Sequence, residues 1–599
     1  MNSLTKCIIG CYFILSSVSV FSQRIETNLN DNRNYILNDK DLNYKIGSWG
    51  DQGDGTYKNP VLNADYPDID IEKIGDKYYM IASKQHFSPG MVILESDDLV
   101  NWEIIGHVWD KLDWSPDYNW DRLSAYGRGV YAGDLAYHEG KYYCYMIDSR
   151  HGLLVSTAEN IRGPWSKPIK MLPPEIAHDD PTVFWDYDTH EAFLVCNNAF
   201  RVNPDPEMKK ERMNENRIYK MSWDGLSVLD SGQVYYVGKV AEAAKVHKIN
   251  GTFYIFMAEW FNKDSNNPKG GEFNGGDRKQ FVLRSTTNSI YGPYEKKVVL
   301  ERGNGFERSS CQGSLVQAPD NSWWYMHQLV QNIKSPFQGR PQCLEPVTWV
   351  DGWPIIGEDI DDDGIGEPVW SYKKPINGFP IKAPQTDDEF NSSTLGHQWE
   401  WNHNSRDSHW SLNKRKGYLR LIASKLLPNK EGFGPTVSSR EKNIGINADF
   451  WRAPNTISQR IMGNTTGTAT AKVDLSGMVV GQRAGMVRFS SVSHLFGVKI
   501  NENGSKQLFF MDKEGKETES EIIKSKKLYL RTQNKGDQAF FEYSTNGKNF
   551  IKVATDFTIE FGYWSGDRIG FFCWNNNKEK GVFDIDSFHY EYDGPKANK

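Results

Sequence analysis

The chain reads as an all-β protein, a five-bladed β-propeller followed by a β-sandwich, and three observations predict this. A short polar turn leading into a burst of aromatic and β-branched residues recurs five times: IGDKYYM (74–80), HEGKYYCYM (138–146), DTHEAFLV (188–195), INGTFYIFM (249–257) and DNSWWYMHQ (320–328). Long helical periodicity is absent, which argues against an α/β barrel. From about residue 387 the pattern restarts with short alternating strands, among them GYLRLIAS, TATAKVDLS, HLFGVKI and AFFEYST.

At the N-terminus, Lys6, the apolar stretch CIIGCYFIL and the small-residue pattern Val20-Phe21-Ser22 before Gln23 read as a signal peptide over 1–22. The chain is therefore expected to be exported, to the periplasm or the medium. Ile8-Ile9-Gly10-Cys11 resembles a lipoprotein box but sits too early in the apolar stretch for anchoring. No other apolar run is long enough to span a membrane.

The propeller is expected over 45–375. Each recurring phrase reads as a hairpin turn entering a strand. A second phrase follows some of them: SDDLVNWE (96–103), STAENIRGPWS (156–166) and STTNSIYGPYE (285–295). Five such units argue for radial repetition of small antiparallel sheets. The stretch 357–386 is rich in Gly, Pro and Asp and reads as a connector, with a linker at 376–386. Its Asp359–Asp363 segment resembles a DxDxDG calcium loop, but no Glu follows at the expected distance on a helix, so it reads as a solvated loop. The sandwich is expected over 387–594. Its Trp399, Trp401 and Trp410 read first as packing between sheets and second as a sugar-binding surface.

Composition bounds the function. The 599 residues are 38% hydrophobic and 25% charged, a globular chain of two or three domains. The aromatic share of 13% suits both β-rich cores and stacking on sugar faces. A formal net charge of -7 and the lack of long basic runs exclude a nucleic-acid partner. Beyond the leader, Cys144, Cys196, Cys311, Cys343 and Cys573 are scattered and odd in number, with neither a disulfide framework nor a zinc pattern.

Hydrolysis of a sugar acetal needs an acid for the leaving oxygen and a base or nucleophile on the other side. In a propeller, carboxylates at the start of the innermost strands converge on the central channel. Asp68 stands before the first blade, behind Pro67, and Asp180 stands in a similar place with Pro181 after it. Glu242 lies among Ala241, Ala243 and Ala244 ahead of a strand, an unusual setting for a residue rarely buried without a partner. Each alone reads first as a turn or surface carboxylate. Their equivalent placement in three blades makes them candidates together.

The segments NPVLNADYPDIDIEKIGDKYYMIAS, SPGMVILESDDLVNWEIIGH, DDPTVFWD, AEAAKVHKINGTFYIF and QGRPQCLEPVTW resemble glycoside hydrolase family 43 from end to end of the propeller. DEFNSSTLGHQWEWNHN and TISQRIMGNTTGTATAKVDLSGMVVGQRAGM resemble the concanavalin-like jelly roll attached to that family's β-xylosidases. The resemblance implies an inverting exo-glycosidase that releases terminal β-D-xylose or α-L-arabinofuranose from plant cell-wall polysaccharide or its oligomers. It assigns the base to Asp68, an orienting and pKa-tuning role to Asp180, negative and close to the acid, and the general acid to Glu242. Arg340 in QGRP matches an arginine that contacts sugar hydroxyls. His86 and Phe87 in SKQHFSPG would edge the pocket. Tyr131 stands where the family's Trp-Ala-Pro pattern begins, so the stacking platform there would differ. Gln312 stands where many members carry a metal-associated histidine, so no metal ligands are assigned, a structural calcium has little support and no cofactor is expected. One loop of the sandwich, with His494-Leu495-Phe496 as the candidate, would wall the pocket. Two other readings remain: a non-catalytic carbohydrate-binding propeller, and a retaining fructan-type hydrolase, whose NDPN, RDP and EC signatures the chain lacks.

Overall fold

The computed structural model describes residues 44–45, 47–176, 178–198, 213–261, 277–302, 309–330, 337–435, 449–562 and 564–597. The expected signal peptide lies outside the described residues. Among the described residues no helix is long and apolar enough to cross a membrane.

Five four-stranded antiparallel sheets follow one another along the chain, each built from neighbouring strands. Their innermost strands are Asp70–Ile74, Val130–His138, His178–Asp186, Glu242–Ile249 and Ser309–Gln317. The five recurring phrases are the hairpins joining each innermost strand to its neighbour. Two of them turn on Glu139-Gly140 and Asn250-Gly251, with both residues at positive φ, the geometry that follows the twist of a tight hairpin. Apolar clusters fill the space between successive blades, for example Tyr143, Trp185 and Leu194 between the second and third.

Among the described residues no strand is shared to close the ring. Instead the Ser314 hydroxyl of the fifth blade donates to Asp70 Oδ1 (2.7 Å) and accepts the Ile71 N–H (3.2 Å) of the first. The segments that flank the propeller also meet: Thr56–Lys58 pairs with Ser371–Lys373. Lys374 then reaches buried Asp51 (2.5 Å) and Asp98 (2.7 Å), so this part of the Pro-rich connector is tied to the first blade.

The C-terminal domain is a sandwich of two eight-stranded sheets. Phe496, Phe541, Phe571 and Phe588 are buried in its core. Trp399 and Trp401 are buried as well, and Trp410 packs on Trp401 with ring centroids 5.2 Å apart, so this cluster is packing rather than a sugar platform.

The outermost strand of one sandwich sheet comes from the propeller. Phe87–Ser88 pairs with Glu400–Asn402, Ser88 opposite Trp401. This corrects the expectation for His86 and Phe87, which lie in the seam between the domains instead of at the pocket edge. The Phe87 ring sits 4.0 Å from the Arg568 guanidinium, in an apolar cluster with Phe489 and Trp451. His86 Nε2 lies 3.1 Å from Asn402 Oδ1, and burial first, then Arg568, lowers its pKa to about 3.

Candidate active site

Five non-glycine residues at positive φ ring one end of the channel, one per blade: Asp68 (52°), Ala132 (35°), Asp180 (45°), Ala243 (61°) and Gln312 (66°). Such conformations cost of order 1–3 kcal/mol each and gather at functional sites. All five line a single cleft. In blades two to five the innermost strand shifts register at this point. Such a bulge bends the strand and re-aims its side chains.

Two residues further on from each lies a second layer: Asp70, Asp134, Thr182, Lys245 and Ser314. The Lys245 ammonium sits between two buried carboxylates, 2.8 Å from Asp70 Oδ1 and 2.8 Å from Asp134 Oδ1. Asp70 also accepts the Leu135 N–H (2.8 Å) and Asp134 the Val183 N–H (3.1 Å). Burial opposes the charge on Lys245, but Asp134 and Asp70 outweigh it and raise its pKa. The floor of the site is thus a cross-brace over four blades. Replacing Lys245 by Met leaves two carboxylates facing each other in the channel. It is expected to cost about 3–5 kcal/mol, the scale for one half of a buried pair. Denaturant unfolding checks this: the loss should shrink when Asp70→Asn and Asp134→Asn are added, and an unchanged midpoint would refute the brace.

The same layer tests the central calcium. An ammonium already lies between the two channel carboxylates, and Gln312 uses its amide to donate to Asp68 Oδ1 (3.2 Å). A divalent cation placed there would face two sets of donors, so these residues do not fit one. Asp359, Asp361 and Asp363 bring their carboxylates together at a solvent-exposed loop remote in sequence from the cleft residues.

Asp68 is buried and densely bonded. Its Oδ1 accepts from Arg340 Nη1 at 2.6 Å and its Oδ2 from the Ser83 hydroxyl at 2.8 Å. The Gln328 side chain accepts its N–H (2.9 Å). Asp180 accepts the Ala243 N–H at 3.0 Å, which ties it to the turn carrying Glu242. Burial raises the Asp180 pKa well above the usual carboxylate range, and the charges of Asp179, Glu242 and Asp68 add to this against Arg278. These effects oppose the negative charge that the sequence reading expects on Asp180.

Glu242 is not the positional equivalent of Asp68 and Asp180. That place belongs to Ala243, and Glu242 precedes it. Its Oε1 accepts from Arg278 Nη2 at 2.5 Å, and Asn214 Nδ2 lies 3.5 Å from Oε2. Tyr131 adjoins pocket-lining Ala132, but its hydroxyl bonds the Gly127 carbonyl and its ring packs on the core between blades two and three.

The sandwich does reach the site, though not through His494-Leu495-Phe496. Leu495 and Phe496 are fully buried in its core. The segment that arrives is 564–566. The Trp564 carbonyl accepts from Gln85 Nε2 (3.2 Å) and Arg340 Nη2 (3.3 Å), with the Trp564 ring half exposed. Gly566 N–H donates to Asp65 Oδ2 (2.9 Å). Sequence reading missed Ser83, Arg278, Lys245 and Trp564. Only Lys245, a lysine among alanines at a strand start, carried the same signal that marked Glu242.

The family described as "Glycosyl hydrolases family 43" matches residues 57–354, and "Beta xylosidase C-terminal Concanavalin A-like domain" matches 387–591. The chain is 60% identical over 554 residues to "Beta-xylosidase" of Formosa agariphila, covering 92% of this chain and 93% of that protein. It is 28% identical over 476 residues to a "Non-reducing end alpha-L-arabinofuranosidase" of Bacteroides ovatus, covering 76% and 78%. Among solved structures it is similar to "Bifunctional GH43-CE" of Bacteroides eggerthii, with a TM-score of 0.72 at 28% identity, over 89% of this chain and 63% of that one.

Proposed function

The chain belongs to glycosyl hydrolase family 43 and is a glycoside hydrolase, and we propose that it is an exported, inverting exo-enzyme that releases terminal pentoses, with β-D-xylose the first choice and α-L-arabinofuranose the second. The observation that carries this reading is the joint placement of Asp68 and Asp180 in one small cleft, with Glu242 beside it. The xylose preference draws on the 60% identical relative named beta-xylosidase. A cleft lined by the inner ends of the blades and bordered by the sandwich segment at Trp564 suits one terminal sugar better than a threaded polymer. The apolar stretch at the N-terminus supports export.

In this reading Asp68, as a carboxylate fixed by Arg340 and Ser83, removes a proton from the water that attacks the anomeric carbon. Glu242 gives its proton to the glycosidic oxygen. With Oε1 taken by Arg278, that proton is carried on Oε2. Asp180 orients the acid by holding the Ala243 N–H. Arg340, bonded to the base, is placed to contact sugar hydroxyls as well. No cofactor is required, because acid and base together complete the proton transfers.

Aryl β-D-xyloside should be cleaved faster than aryl α-L-arabinofuranoside, and proton NMR should show the inverted α-anomer of xylose first. A β-anomer first would overturn the inverting mechanism. A lack of release from aryl pentosides and from xylan and arabinan oligomers alike would overturn the pentose assignment.

A further inference from the structure

The base is held from two sides, and both sides lead to one residue of the sandwich. On one side the second strand of the first blade, Lys77–Ala82, runs on into Ser83, Lys84 and Gln85. Ser83 donates to Asp68 Oδ2 (2.8 Å) and accepts the Ala132 N–H (2.7 Å). The next side chain, Lys84, is fully buried and ends on Glu400 Oε1. Gln85, at φ 52°, donates to the Trp564 carbonyl. On the other side Arg460 Nε donates to the Asp65 carbonyl (2.6 Å), three residues before the base, while its Nη1 bonds Glu400 Oε1. The Asp65 carboxylate in turn accepts the Arg340 N–H (2.9 Å), and Arg340 is the ion-pair partner of Asp68. A third basic side chain, Arg568, bonds Glu400 Oε2. One carboxylate with no exposed surface thus meets two arginines and a lysine, all buried, that come from both domains.

From this geometry we infer that Glu400 is a positioning residue for the catalytic base, acting through Lys84–Ser83 and through Arg460–Asp65–Arg340; this rests on the reading of Asp68 as base. The physical reason lies in the charge count. Without Glu400 the two arginines cannot shed their protons, so they repel inside a buried seam. The backbone at Lys84 and Asp65 must then move, and Asp68 is bonded to both segments. A shift of about 1 Å at a reacting group costs about 10²-fold in rate.

Glu400→Gln is expected to lower kcat on an aryl xyloside by about 10- to 100-fold, with KM changed less than about twofold. Isothermal titration with xylose should still count one site per chain, which separates mispositioning from a smaller folded fraction. Glu400→Asp, which keeps the charge, should recover most of the kcat. If Glu400→Gln does not fold, Lys84→Met reads the same route, since Glu400 keeps two partners there, and a drop in kcat at unchanged KM is again expected. A wild-type kcat in the folded variant, or a loss matched by fewer xylose sites, overturns the inference. Asp68→Asn run alongside separates the two claims: if it retains activity, the base assignment itself falls. If it is inactive while Glu400→Gln turns over like the wild type, only the positioning role falls.

Discussion

Glu242→Gln is expected to lower kcat on xylo-oligosaccharides by about 10²–10⁴-fold, the range for losing a positioned general acid. The amide keeps the volume of the carboxylic acid and can still accept from Arg278, so the fold should be unchanged. What it cannot do is supply the proton that the departing sugar oxygen needs. Substrates whose leaving group departs without protonation should therefore be spared. An aryl xyloside with a strongly acidic phenol should lose far less activity than the natural oligomer. Steady-state kinetics over a series of phenols measures this directly. Equal losses across the series, or full activity on oligomers, would remove Glu242 from the acid role.

Asp68→Asn should produce a loss of about 10²–10⁴-fold as well, but with the opposite dependence on substrate. Water must be activated whatever group leaves, so aryl xylosides and oligosaccharides should suffer alike. Arg340 is 7% exposed and would lose its charged partner. A moderate loss of stability is thus expected beside the loss of rate, and Arg340→Met in the Asp68→Asn background should return part of it. The flat response to leaving group is the diagnostic result. A variant that still cleaves oligosaccharides would exclude Asp68 as the base.

Much of the site could be read before any coordinates, and the limits of that reading have physical causes. Asp68 and Asp180 stand out because each sits beside a proline just ahead of a strand, and both do occupy the positive-φ place at the mouth of the channel. Glu242 seemed to be a third such residue. The structure gives that place to Ala243, because the position of a bulge depends on which residues of the neighbouring strand pair with it. The setting of Asp180 is likewise beyond a local reading. How buried Asp180 is, and how many acids surround it, is set by three blades together and leaves no mark in DDPTVFWD.

His86 and Phe87 show the same limit over a longer range. SKQHFSPG reads alike whether it lines a pocket or forms an edge strand, and its pairing partner Glu400–Asn402 is more than three hundred residues away in the chain. For His494-Leu495-Phe496, the resemblance implies a pocket wall. Its alternation is that of an ordinary core strand, and the segment that approaches Arg340 is instead 564–566.

By itself the sequence determined the architecture, since turn chemistry and a period of two are local properties repeated once per blade. It also determined the glycosidase family, and it singled out the three acids as candidates. Only the tertiary structure decided how deeply Asp180 is buried among other acids, that a lysine stands where a channel cation would be sought, and that one glutamate of the sandwich meets three basic side chains in the seam behind Asp68. Those outcomes depend on burial and on charges that meet from distant segments, which no local pattern encodes.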